Sequence, residues 1–202
     1  MVGIAVTEAE EKGQRISCQS GCGACCSQLV PISKAEAVSL LKLVDSMSET
    51  SRSEIRRRFA KNIAVLAEEG LLDDLEQAAL DHDKERLRAI GLSYFGLNLP
   101  CPFLQDQSCS IHPYRPLSCR EFLVVSDPVY CSKPNPEDVK KVVLPRTVSP
   151  IIYEMCSRDP ARDRGFIPMV QLLASAESVE AGLPGPAPAV EWVKRFLKRL
   201  GG

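Results

Sequence analysis

The chain has 202 residues, 45% hydrophobic and 25% charged, which fits one globular domain with a short tail and excludes an intrinsically disordered chain. Lys plus Arg (25) and Asp plus Glu (26) nearly cancel to a net charge of −1, which gives no clear nucleic-acid signal. Nine cysteines are the outlier; an odd number precludes full internal pairing, and a chain of this length buries its own core without disulfides, so metal or redox chemistry is the expectation.

The opening segment MVGIAVTEAEEKG has a short apolar stretch followed at once by acids, unlike a secretory leader. No apolar run approaches the roughly 18 residues that span a bilayer. The expectation is a cytoplasmic protein without a transmembrane segment. Next comes a loop with Cys18, Cys22, Cys25 and Cys26, and a cysteine-free helical insert over about 33–96. Ser33 and Glu36 have the spacing of a capping box, and the helix runs to about Met47. A second helix is predicted from near Ser51 or Ser53, with Ile55, Phe59, Ile63 and Leu66 at helical spacing and Gly70 as its terminator. Its outer face, Arg52, Arg56, Arg57, Arg58 and Lys61, reads as a solvated side. A third helical stretch covers Leu72 to Ile90, with a break near Asp81-His82-Asp83 and His82 read as solvated.

From Leu99 to Lys133, Pro100, Pro102, Pro113 and Pro116 forbid a continuous helix. Gln105-Asp106-Gln107-Ser108 reads as a turn between Cys101–Leu104 and Cys109–Ile111, a small hairpin or knuckle. Val148, Ile151, Ile152 and Met155 predict a helix, as do Met169, Leu172, Leu173, Ala176 and Val179 after Pro168. Residues 1–183 form the predicted domain, and 184–202 a Pro-rich linker and a basic amphipathic helix. That helix sets Trp192, Val193, Phe196, Leu197 and Leu200 against Lys194, Arg195, Lys198 and Arg199. It is expected to dock on its own chain through Trp192, with RNA, anionic lipid or a protein partner as the alternatives.

The expected fold class is mainly α, a small helical domain whose two Cys-rich loops and short hairpin form a metal site. Thiolates are soft ligands suited to zinc and iron–sulfur clusters. Cys18-x3-Cys22-x2-Cys25 presents several sulfurs from one tight loop, with Gly21 and Gly23 supplying backbone freedom. A radical-SAM loop shares this spacing, but the short helical chain supplies no barrel. Cys25 and Cys26 are adjacent, so their side chains are expected to diverge. Cys101, Cys109, Cys119 and Cys131 are widely spaced, which suits ligands from separate loop ends converging on the first group. Eight thiols suffice for two four-sulfur centres, or for one centre plus redox-active spares. Cys156, on a predicted amphipathic helix, reads as a small buried hydrophobe. Arg115 and Arg120 flank Cys119, where guanidiniums would offset the negative charge of a thiolate-bound metal. His112 has ligand spacing from Cys109, but the thiols leave it unneeded.

Cys18-Gln-Ser-Gly-Cys22-Gly-Ala-Cys25-Cys26, Pro100-Cys101-Pro-Phe-Leu104 and Cys109-Ser-Ile-His-Pro-Tyr-Arg-Pro-Leu-Ser-Cys119-Arg-Glu-Phe122 together resemble the YkgJ-type cysteine-cluster family, a zinc- or iron-chelating domain with a CxxCxxCC signature. The resemblance spans about Ser17 to Cys131; three residues rather than two separate Cys18 from Cys22. It implies that Cys18, Cys22, Cys25, Cys26, Cys101, Cys109, Cys119 and Cys131 are the metal-associated set. Flagellin lysine methylases resemble the pattern too and imply an iron–sulfur cluster. The expected cofactor is therefore zinc or iron, with an iron–sulfur cluster as the alternative. The expected function is cytoplasmic metal binding. Its alternatives are an iron–sulfur enzyme of redox or methyl-transfer chemistry, and a thiol redox sensor or metal-delivery adaptor. With two histidines, no phosphate-cradling Gly loop and no nucleophile elbow, no catalytic residue is assigned, and an enzymatic role is the less favoured.

Overall fold

The computed structural model describes residues 1–80, 83–133, 135–161 and 163–201 and is mainly helical. The first helix, α1 (Val2–Glu11), is not visible in the apolar pattern, because the only residues it buries are Ala5 and Ala9, which pack with Val142. Strand β1 (Pro31–Ser33) leads directly into α2 (Lys34–Ser46). Ser33 Oγ accepts from the Glu36 amide at 3.2 Å, and the Glu36 carboxylate accepts from the Ser33 amide at 2.8 Å, so the expected capping box forms. Helix α3 (Glu49–Glu68), capped by Ser48, starts slightly earlier than predicted and buries Ile55, Phe59, Asn62 and Leu66. Gly70, at φ 68°, turns the chain into α4 (Leu71–Leu80). Helix α5 (Lys84–Gly96) is capped by Asp83, whose carboxylate accepts from the Arg86 amide at 2.9 Å. The third predicted stretch is thus two helices, the second reaching beyond Ile90; His82 lies outside the described residues.

Strands β2 (Leu104–Gln105) and β3 (Ser108–Cys109) form the expected hairpin, with Leu104 opposite Cys109 and Gln105 opposite Ser108. Its turn is tighter than predicted, consisting of Asp106 and Gln107 at φ 48° and 59°, a mirror-image turn matched to strand twist. Helices α6 (Leu117–Glu121) and α7 (Ser149–Cys156) follow. Strand β4 (Phe166–Pro168) returns to pair antiparallel with β1, Ile32 opposite Ile167. The helix predicted after Pro168 is not continuous. The Met169 amide donates to the Val30 carbonyl at 2.8 Å and prolongs the β1–β4 ladder. The chain therefore passes through a 3₁₀ turn at Met169–Gln171 before α8 (Ala176–Ala181) begins. Helix α9 (Ala189–Gly201) lies against α7, with Arg199 ion-paired to Glu154 at 3.3 Å. Trp192, Phe196 and Leu200 are half-buried there, whereas Val190, Val193 and Leu197 stay exposed.

The main core joins β1, α2, α3, the hairpin and the segment after β4 through Ile32, Leu40, Val44, Phe59, Phe103 and Leu172. Phe59 meets Phe103 edge-on with centroids 5.4 Å apart, which adds about 0.5–1.5 kcal/mol beyond area burial. Cys101 and Cys109 pack on the margin of this core. A second core gathers Leu66, Leu71, Leu75, Ile90, Tyr94 and Leu99 from α3, α4, α5 and the segment after α5.

Asn62, only 3% exposed, donates from Nδ2 to the Pro100 carbonyl at 2.9 Å and ties α3 to the residue preceding Cys101. Asn62→Ala leaves that carbonyl without its donor and is expected to cost about 1–3 kcal/mol in urea unfolding. An unchanged midpoint at unchanged slope would show that this bond does not hold the loop to α3.

Candidate metal centre

The N-terminal cysteine loop is stitched to the middle of the chain at both ends. The Ser17 amide donates to the Val124 carbonyl at 2.9 Å, and the Val124 amide donates to Cys18 Sγ at 3.4 Å. At the other end, the Cys101 amide donates to the Cys26 carbonyl at 2.6 Å. Gln28 Nε2 adds a bond to the Cys131 carbonyl at 3.4 Å. Between these ties the loop coils. The Cys26 amide donates to the Gly23 carbonyl at 2.9 Å and the Gln28 amide to the Cys25 carbonyl at 3.2 Å. In such a coil successive side chains fan out by roughly 100° rather than alternating as on a strand. Cys25 and Cys26 consequently face one cavity and bond to one another through their thiols, where divergence was expected. The two glycines serve different ends. Gly21 sits at φ 84°, a left-handed angle. Gly23 is needed for space: a Cβ there would stand 2.9 Å from Leu104 Cδ1 and 2.8 Å from Gln107 Oε1, so the loop presses on the hairpin.

The second group is delivered by separate elements. Cys101 and Cys109 stand before and on the hairpin, which α3 grips through Asn62 and through Arg58 Nη1, donating to the Leu104 carbonyl at 2.8 Å. Arg58 is therefore more than part of a solvated stripe. Cys119 lies on α6, whose first amide, that of Leu117, donates to Glu36 Oε1 at 2.7 Å. Ser118 bonds the Tyr153 hydroxyl, which donates to the Pro31 carbonyl at 2.9 Å. Glu121 accepts from the Val148 amide at 2.6 Å and so fixes α6 to the start of α7. Cys131 lies buried in a 3₁₀ turn, Pro128–Ser132.

These ties bring the two groups together. Cys22, Cys25, Cys26, Cys101, Cys109 and Cys119 line one cavity of about 440 Å³. Cys18 and Cys131 flank it and feel the charge of Cys25 and Cys22. Cys25 is the electrostatic hub, acting on Cys18, Cys26, Cys101, Cys109, Cys119 and Cys131. The sulfurs surround a space rather than a closed tetrahedron. Among the described residues, no three His, Cys, Asp or Glu side chains form a ready-made ligand set. Cys156 is buried apart from the other thiols, beside Ser33 and Ala35.

Burial pushes the thiols of Cys101 and Cys119 up to about 12 and that of Cys131 to about 11, and it raises Cys18 and Cys109 as well. Cys25 runs the other way: the Cys26 thiol bonds it and lowers its pKa, while the same bond raises Cys26. Without a cation the cavity therefore favours the thiolate at Cys25 over those at Cys26, Cys101 and Cys119. Arg115 lines the cavity and its charge acts on Cys18, Cys25, Cys109 and Cys119. Its Nε is buried without a hydrogen-bond partner, as suits a guanidinium waiting on an anionic centre. Arg120 stands further out. Its Nε and Nη2 donate to the carbonyls of Arg115 and Pro113, so it braces the loop that carries Arg115. His112 is exposed at the cavity edge.

Sequence reasoning did not find the supports Arg58, Asn62, Glu121 and Tyr153. Only Glu36 had a signal, as the second half of a capping box, and its bond to the Leu117 amide joins residues far apart in the chain.

The matched family is described as "Putative zinc- or iron-chelating domain", signature CxxCxxCC, over residues 17–139. No curated protein and no solved structure matches the chain. The matched segment holds the eight cysteines of the two groups and leaves Cys156 outside. With well over half of its length matched, and with its thiols arranged around one cavity, the chain belongs to the CxxCxxCC family.

Proposed function

We propose that this protein is a cytoplasmic metal-binding protein that holds zinc or iron through cysteine thiolates. The observation that carries the reading is the gathering of six thiols from two distant loops around one cavity, with the orphaned Arg115 Nε beside them. Cys25, Cys26, Cys101, Cys109 and Cys119, with Cys22, would hold the metal, and Cys18 and Cys131 would complete the set. A bound transition metal supplies the positive charge that lets buried thiols lose their protons. The chain's own contribution is to pre-assemble soft donors, to place Arg115 against the resulting negative charge, and to keep Arg115 in place through Arg120.

A second reading is favoured by one observation. Six thiols around a space of about 440 Å³, with Cys18 and Cys131 beside it, exceed what a single tetrahedral ion needs, which supports an iron–sulfur cluster. Anaerobic purification without a metal-binding tag separates the two. A colourless protein with stoichiometric zinc supports a zinc site; iron with acid-labile sulfide and absorbance near about 400 nm supports a cluster. Protein that retains no transition metal under reducing conditions overturns both.

Metal retention is expected to fall as pH drops, since each sulfur must regain its proton when metal leaves and most of these thiols have raised pKa values. Dialysis against a competing chelator across a pH series checks the direction. Retention that rises towards acid would exclude thiolate ligation.

In metal-free, reduced protein, a brief pulse of iodoacetamide near neutral pH is expected to modify Cys25 before Cys101 and Cys119. Peptide mapping reads the order, and loading with zinc is expected to protect all three. Equal labelling of the three would remove Cys25 as the favoured thiolate.

A further inference from the structure

A second cavity, also of about 440 Å³, adjoins the thiol-lined one and has a different chemistry. Its apolar lining comes from Leu29, Phe95, Phe122 and Val139. Its cations are Arg88 from α5, with Lys133 and Lys141 from the loops around Cys131. None of the described residues lining it is an acid, and none of the three cations forms an ion pair among the described residues. Lys133 stands 5.7 Å from the centroid of the Tyr130 ring and Lys141 4.8 Å from that of Phe122, so each ammonium lies over an aromatic face of the lining.

We propose that this cavity binds a small organic anion with an aromatic body, a carboxylate or sulfonate whose ring enters the apolar floor while its charge meets the three cations. The size lies within the roughly 300–1,000 Å³ of small-molecule sites. Apolar walls carrying a few convergent charges of one sign both desolvate a ring and orient an anion. The site is separate from the metal reading and does not depend on it. It is nonetheless adjacent to the cluster: Gln28, Leu29, Phe122 and Lys141 line both cavities, and Cys131 lies in the wall of the second.

Gly91 provides a clean probe. It lines the cavity, and a Cβ built there meets nothing within 4 Å. A larger side chain would fill the cavity without removing a contact, and it would replace a glycine inside α5 with a better helix former. The experiment is a fluorescence titration of the full-length reduced protein with 8-anilinonaphthalene-1-sulfonate. Saturable binding is expected, with displacement by 2-naphthoate and not by the neutral 2-naphthylmethanol at the same concentration. The K133E/K141E double variant should bind at least about tenfold more weakly, a change of about 1.4 kcal/mol. Gly91→Leu should also lose binding while its thermal midpoint stays equal or rises. Leu197→Ser, on the exposed face of α9, should leave the titration unchanged. Equal displacement by the neutral alcohol overturns the proposal. So does unchanged affinity in either cavity variant, or loss of binding in Leu197→Ser.

Discussion

The short bond from the Cys101 amide to the Cys26 carbonyl carries more of the architecture than its size suggests. It joins the end of one cysteine loop to the start of the other, across the insert that carries α2, α3, α4 and α5. For it to form, α3 must hold the Pro100 segment through Asn62 and the hairpin through Arg58, and Gly23 must leave room for the hairpin to approach. Each support is a polar or steric match between residues far apart in the chain. A single such bond contributes only about 1 kcal/mol, so the loops are held by the set acting together with the Phe59–Phe103 contact beneath them.

The cluster these supports create is electrostatically unfinished. Most of its thiols are pushed up by burial, one is drawn down by its neighbour, and a guanidinium lies beside them with a buried N–H unpaired. Native proteins rarely leave such a group without a partner. A soft cation resolves both conditions, because it replaces the thiol protons and creates the negative charge that Arg115 can meet. The division of labour between the two arginines follows from reach. Arg115 faces the sulfurs, whereas Arg120 bonds the backbone that bears Arg115.

The two cavities share a wall but differ in what they offer. One is lined by thiols and the other by aromatic rings and ammoniums. Cys131 belongs to both settings, buried in a 3₁₀ turn whose carbonyl is held by Gln28. Burial raises its thiol pKa; the charge of Cys25 adds to that rise and Lys141 opposes it.

What the sequence determined by itself was local. Ser33 with Glu36, the apolar spacing of Ile55, Phe59 and Leu66, Gly70, and the turn signal over Gln105-Asp106-Gln107-Ser108 are short-range signals, and the structure places a cap, a helix, a stop and a hairpin there. The composition also set the cysteines apart by their number and grouping, and the eight in the two groups fall within the family match. Where local signals were weak or contested, the reading failed: α1 packs through alanines alone, and the ladder bond from Met169 to Val30 interrupts a helix that spacing favoured. Only the tertiary structure decided which sulfurs share a cavity, that Cys25 and Cys26 face each other, and that Arg115 rather than Arg120 meets them. The reason is range: hydrophobic period and capping chemistry act within a few residues, whereas the cavity is made by bonds between Cys26 and Cys101, Ser17 and Val124, Glu36 and Leu117, and their pairing exists only once the helices have packed.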